Sequence, residues 1–159
     1  MGNWETRLRE WQNLDVPEGW RAEITPAGVT LTPPVDNGHS RIAASVHRTL
    51  VRSVPEDRAI LQKLGVSIRS ASRLYVPGLV VVPHHELLSR PDNVPVPAEA
   101  AELVVEIYLL IDRYAEPKPS VTLFSDPVDG HYRRSEQVSF GEEIRLPAPF
   151  DLVLATAAF

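Results

Sequence analysis

The stretch that most constrains this chain is Glu102–Asp112, reading Glu-Leu-Val-Val-Glu-Ile-Tyr-Leu-Leu-Ile-Asp. It is the most apolar run in the sequence and the densest in β-forming residues. Written as a strand, its side chains alternate between two faces. Leu103, Val105, Ile107, Leu109 and Ile111 make one wholly aliphatic face, and Glu102, Val104, Glu106, Tyr108, Leu110 and Asp112 make the other. Glu106 therefore falls in the middle of a strand that reads as buried. A carboxylate there is costly to desolvate unless it is paired, protonated or bound to a metal.

The bulk composition sets the frame for that strand. With 159 residues, the expectation is a single domain, 1–159, long enough for a real core. A hydrophobic share of 43% and a charged share of 23% are those of an ordinary globular protein. Net charge is −5, which argues against a dedicated non-specific nucleic-acid binder without excluding a nuclease with a local basic groove. There is no cysteine, so disulfides and thiolate metal sites are excluded. No apolar run reaches membrane-spanning length and no apolar leader opens the chain, so the expectation is a cytoplasmic protein without membrane contact.

Along the chain, Trp4, Leu8 and Trp11 share a helical stripe, giving an amphipathic helix within a cap over residues 1–16. Trp20–Thr25 and Val29–Thr32 flank Pro26-Ala27-Gly28 and read as a hairpin, with Glu23 in its first strand. Ile42, Val46, Leu50 and Val54 recur at a four-residue period, so His39–Val54 reads as a helix that Pro55 stops. Arg58–Leu64 is ambiguous. Val66–Arg69 and Arg73–Val76 read as short strands, and Leu79–Val82 as a central strand buried on both faces. His84–Ser89 reads as a helical turn and Arg90–Ala98, with its prolines, as an irregular connection. Beyond a turn at Ala115–Pro119, Val121–Ser125 and Tyr132–Phe140 read as an antiparallel pair joined through Asp126-Pro127-Val128-Asp129-Gly130. Glu142–Leu146 and Leu152–Leu154 read as terminal edge pieces. The fold class this predicts is mixed α/β, an α+β arrangement of many short strands and few helices.

Two acidic residues on neighbouring central strands are a recurrent way to hold Mg²⁺ through hard oxygen ligands beside a phosphate. Glu23 and Glu106 are the candidates. The alternative for each is a salt-bridged structural carboxylate. His84 and His85 after a strand end, and Arg133-Arg134 after His131, are weaker candidates for metal and phosphate contact. Trp4 and Trp11 fit core or dimer packing better than base stacking.

Taken together, these segments resemble the Uma-type putative restriction endonuclease family of the PD-(D/E)XK nuclease superfamily. Pro17-Glu18-Gly19-Trp20-Arg21-Ala22-Glu23-Ile24 resembles the family's opening strand with its glutamate, and Thr32-Pro33-Pro34 followed by His39 the loop into its first helix. Arg73–Pro83 is similar to the strand that normally carries Pro-Asp. Glu102-Leu103-Val104-Val105-Glu106-Ile107 is similar to the strand with the second acidic ligand, and Tyr108–Asp112 to a later strand ending in aspartate. Gly141–Phe150 is similar to the C-terminal signature. The resemblance implies a restriction-endonuclease-like core with an N-terminal hairpin and flanking helices, and a Mg²⁺-dependent phosphodiesterase site. It implies Glu106 and Glu23 as metal-binding and catalytic residues, a lysine orienting the attacking water, and His39 near the site.

Two departures from the pattern stand out. The Pro-Asp pair is Pro77-Gly78 here, so position 78 offers no side-chain ligand. No lysine lies between Glu106 and Lys118, because Ile107 runs straight into Tyr108 where the family has roughly two to three dozen further residues, far more than an ordinary loop. Read as a single strand, 102–112 would extend about 36 Å, well past the usual length; the stretch is better read as two family strands abutted at Ile107–Tyr108. The expectation is a nuclease-fold protein whose catalytic site is impaired. The alternatives are an active Mg²⁺-dependent DNA endonuclease and a non-enzymatic interaction or regulatory module, with a homodimer expected in each case and DNA as partner only if the site is active.

Overall fold

The computed structural model describes residues 4–107, 119–128 and 131–159. The chain divides into two compact units: Met1–Asp36 with Pro55–Ile107, and Asn37–Val54 with Tyr108–Phe159. The fold is mixed α+β, and no helix among the described residues is long and apolar enough to cross a membrane.

The first unit begins with helix α1 (Trp4–Gln12), whose Trp4, Leu8 and Trp11 pack on the buried Ile24, Leu74 and Val76, as the stripe predicts. Beneath it, β1 (Arg21–Thr25), β2 (Gly28–Thr32), β4 (Val66–Ile68), β5 (Arg73–Tyr75) and β7 (Val96–Pro97) form a sheet in the order β2-β1-β5-β4-β7. Its pairs are antiparallel except β4 with β7. The ambiguous segment resolves as β3 (Arg58–Leu61), which with β6 (Leu79–Pro83) and β8 (Leu103–Val105) makes a second sheet, β3-β6-β8. Between β6 and β8 lie helix α3 (His84–Leu88) and a single helical turn at Ala98–Ala100.

Register explains how the layers stack. Leu74 pairs with Ile24 and with Ser67, so the face of β5 toward α1 is opposite the face of β4 that carries Val66. Val66 and Val96 of the first sheet form one core cluster with Val80 and Val82 of the second. The five-stranded sheet thus lies between α1 and the three-stranded sheet. Leu79, Val80, Val81 and Val82 are all fully buried, as the continuous apolar run predicts for a strand covered on both faces.

The Glu102–Asp112 reading needs correction. Strand β8 ends at Val105, and Glu106 lies beyond it rather than mid-strand. Its ladder partner explains this: the last rung is Leu79 with Val105, and β6 cannot continue toward the N-terminus because Pro77 supplies no N–H. Without a partner strand, β8 stops. Tyr108–Asp112, the Ile107–Tyr108 junction and Lys118 reach into or lie within 108–118, outside the described residues. Arg73–Val76 and Leu79–Val82, read as separate strands from the residues although the resemblance runs Arg73–Pro83 as one, are indeed two strands in different sheets, the break falling at Val76-Pro77-Gly78.

The second unit contains α2 (Asn37–Ser53), which buries Ala43, Val46 and Leu50 and meets β12. Strands β11 (Glu143–Leu146) and β12 (Leu152–Ala155) form a hairpin in which buried Ile144 pairs with Leu154 and buried Leu146 with Leu152. Thr156 closes it: its hydroxyl donates to the Glu142 carbonyl at 2.7 Å and accepts from the Gly141 N–H at 2.8 Å, and its own N–H donates to the Glu142 carbonyl at 3.1 Å. Phe159 then sits edge-on to Phe140, ring centroids 5.6 Å apart. Strands β9 (Ser120–Val128) and β10 (His131–Ser139) form a long antiparallel hairpin. It extends further than expected, since Asp126-Pro127-Val128 belongs to β9 rather than to the loop, with Asp126 at a left-handed φ of 58°.

Candidate functional site

Strand alternation decides which β1 side chains face the second sheet. Ala22 and Ile24 are buried, Ile24 beneath α1, which leaves Arg21, Glu23 and Thr25 on the opposite face. There Arg21 and Glu23 meet the Val76-Pro77-Gly78 crossing, where the chain leaves one sheet for the other and its backbone groups lack ladder partners. Side chains supply the bonds instead. The Val76 N–H donates to Glu23 Oε1 at 2.8 Å, and Arg21 Nη1 donates to the Val76 carbonyl at 2.9 Å.

The same Arg21 nitrogen stands 3.5 Å from Glu106 Oε1, and both side chains are about one-fifth exposed, at 20% and 23%. That distance describes an ion pair more than a strong hydrogen bond. Burial pushes the Glu106 carboxyl above its ordinary range, and the neighbouring charge of Glu23 adds to the push. The Arg21 guanidinium and a hydrogen bond from the Gly78 backbone act in the opposite direction. The structure therefore gathers Glu23, Glu106 and Gly78, three positions singled out from the sequence, around a fourth that was given no role: Arg21. The signal for Arg21 was present in the alternation of β1, which places it on the Glu23 face.

His39 is in the first turn of α2, half-buried, in the second unit. His85 pairs with Glu86 at 3.5 Å, and Glu86 in turn accepts from Arg90 at 2.9 Å, so Glu86 is engaged at α3. Among the described residues, no group of three or more histidine, cysteine or acidic side chains is arranged to hold a metal ion.

A second ion pair was also missed. Arg58, at the start of β3, donates through Nε and Nη2 to both Glu102 carboxylate oxygens, each at 3.0 Å, and also to Asp57. This fork joins β3 to the residue entering β8, across the central β6. Glu102 and Glu106, on one face of the strand as read from the sequence, thus each face an arginine contributed from elsewhere in the unit.

The class this defines is a mixed α+β protein with two arginine-bridged carboxylates at the ends of one short strand. No family model matches the chain, and no curated protein matches it. One solved structure that aligns with it is described as a putative nuclease belonging to DUF820 from Anabaena variabilis, at 18% identity and a TM-score of 0.44. The alignment covers 57% of this chain and 50% of that one, so this chain matches about half the length of that protein. At that identity and score the likeness assigns neither activity nor ligands here.

Proposed function

We infer that the chain is a restriction-endonuclease-like protein whose metal site has become an internal ion pair, and that it acts as a non-enzymatic interaction or regulatory module. The observation that carries this is Arg21, which places a permanent cation beside Glu106 and on the Val76 carbonyl. Mg²⁺ takes a near-octahedral set of oxygens, usually one or two carboxylates with waters and phosphate. Here Glu23 Oε1 already accepts from a backbone amide, Glu106 faces a guanidinium, and position 78 has no side chain to donate. A dication at Glu106 would be repelled by Arg21. The described residues do not fit Mg²⁺.

In this reading Glu23 and Arg21 are structural groups. They satisfy the unpaired backbone of Val76 and hold β1 against the crossing and the end of β8. The test is calorimetric titration with Mg²⁺ and Mn²⁺ beside plasmid cleavage, on the natural chain, Gly78→Asp and Glu106→Gln. The natural chain is expected to take up no metal and to leave DNA intact. Metal-dependent cleavage by the natural chain that Glu106→Gln abolishes would overturn the reading. Metal uptake by Gly78→Asp would identify position 78 as a ligand place lost by one substitution.

A further inference from the structure

Strand β10 is paired on one side only: it and β9 form a two-stranded sheet, and among the described residues no strand lies on its other edge. Residues 131–137 are all exposed. A long strand with a free edge is a template for another strand, and natural proteins blunt such edges with proline, bulges, short length or charged side chains, so the charges of β10 decide what it can pair with. Strand β9 is blunted in this way, by the left-handed Asp126 and by Pro127, which supplies no N–H. Strand β10, His-Tyr-Arg-Arg-Ser-Glu-Gln-Val-Ser, contains neither proline nor glycine.

We propose that the free edge of β10 is a homodimer interface, formed by antiparallel pairing with β10 of a second copy of this chain about a two-fold axis at Ser135. The amino-acid order is self-complementary in that register. Tyr132 falls opposite Val138 of the partner subunit, Arg133 opposite Gln137 of the partner subunit, and Arg134 opposite Glu136 of the partner subunit. Opposite charges facing each other across strands stabilise a ladder, and like charges destabilise it. A two-fold axis normal to the sheet keeps every side chain on its own face, so the register can move only by centring on a neighbouring residue. Centring on Arg134 sets two arginines face to face, and centring on Glu136 sets two glutamates face to face. Of these three centres only Ser135 sets Arg134 opposite Glu136, with Arg133 facing the neutral Gln137, so attraction selects this register and repulsion excludes the two beside it. The resulting sheet runs continuously β9-β10-β10-β9. The Phe124 and Tyr132 rings, 5.6 Å apart and 57% and 61% exposed in one copy, lie on this hairpin, with Tyr132 at the new seam. This interface is independent of whether the Glu106 site is catalytic.

The experiment is sedimentation velocity on the full chain across the micromolar range, with circular dichroism to verify folding of each variant. The natural chain is expected to be a dimer. Arg134→Glu and Glu136→Arg alone should each weaken it about tenfold or more, and the double exchange should restore it. The chain has no cysteine, so Ser135→Cys introduces a unique thiol. Facing Cα atoms in an antiparallel ladder lie about 4.5–5.5 Å apart, within disulfide reach, so mild oxidation should yield a covalent dimer. A monomeric natural chain would overturn the proposal. So would a dimer indifferent to both single exchanges, or one whose Ser135→Cys form does not cross-link.

Discussion

At Glu106, burial and the Glu23 charge act against Arg21 and the Gly78 hydrogen bond, and burial dominates. The folded carboxyl holds its proton more tightly than the unfolded one, whose ordinary value is 4.5. This group therefore contributes stability below pH 4.5 that is lost as pH rises through its folded value. Glu106→Gln, which does not titrate, should lack that component, so its stability relative to the natural chain should improve between pH 4.5 and 7; paired urea midpoints at the two pH values check this. Arg21→Met removes a charged donor from the Val76 carbonyl and the counter-charge from Glu106. It should destabilise by about 1–3 kcal/mol at pH 7 and by less at pH 4, where Glu106 is protonated, and an NMR titration should find the Glu106 carboxyl displaced further upward. Had Glu106 been metal-bound instead, removing Arg21 would favour the site rather than loosen it.

The elements were legible in proportion to how local their causes are. The Trp4-Leu8-Trp11 stripe, the hairpin around Pro26-Ala27-Gly28 and the valine run of β6 each carry their pattern in adjacent residues, and each stands where that pattern puts it. The end of β8 was not legible, because it is set by where β6 begins, across the sheet. The energetic contrast within this sheet is sharp. Leu79, fully buried, should cost about 2–5 kcal/mol on replacement by alanine. Val104, on the neighbouring β8 and 48% exposed, should tolerate threonine within about 0.5 kcal/mol; thermal or urea denaturation of both variants distinguishes a covered residue from an exposed one. Thr156 is a further case that periodicity missed. Its hydroxyl ties the end of β12 to the Glu142 carbonyl and the Gly141 amide, so Thr156→Val should lose about 1–3 kcal/mol, read by chemical denaturation.

At the scale of the whole molecule, the net charge of −5 disfavours non-specific binding to a polyanion. Fluorescence anisotropy with duplex DNA at physiological salt should therefore detect no binding at micromolar protein; tight, salt-sensitive binding would return a nucleic-acid function to the foreground. What the sequence by itself determined is the inventory: a mixed α+β chain, most of its helices and strands though not β3, β7 or the end of β8, the doubly covered β6, and the carboxylates at positions 23 and 106 with glycine at 78. These follow from side-chain period and from proline, which act over a few residues. Only the tertiary structure decided what those carboxylates face. Arg21 and Glu106 are 85 positions apart and meet because the chain changes sheets at Pro77-Gly78, bringing the end of β8 beside the polar face of β1. Charge pairing depends on distance in space, which no local pattern in the chain records.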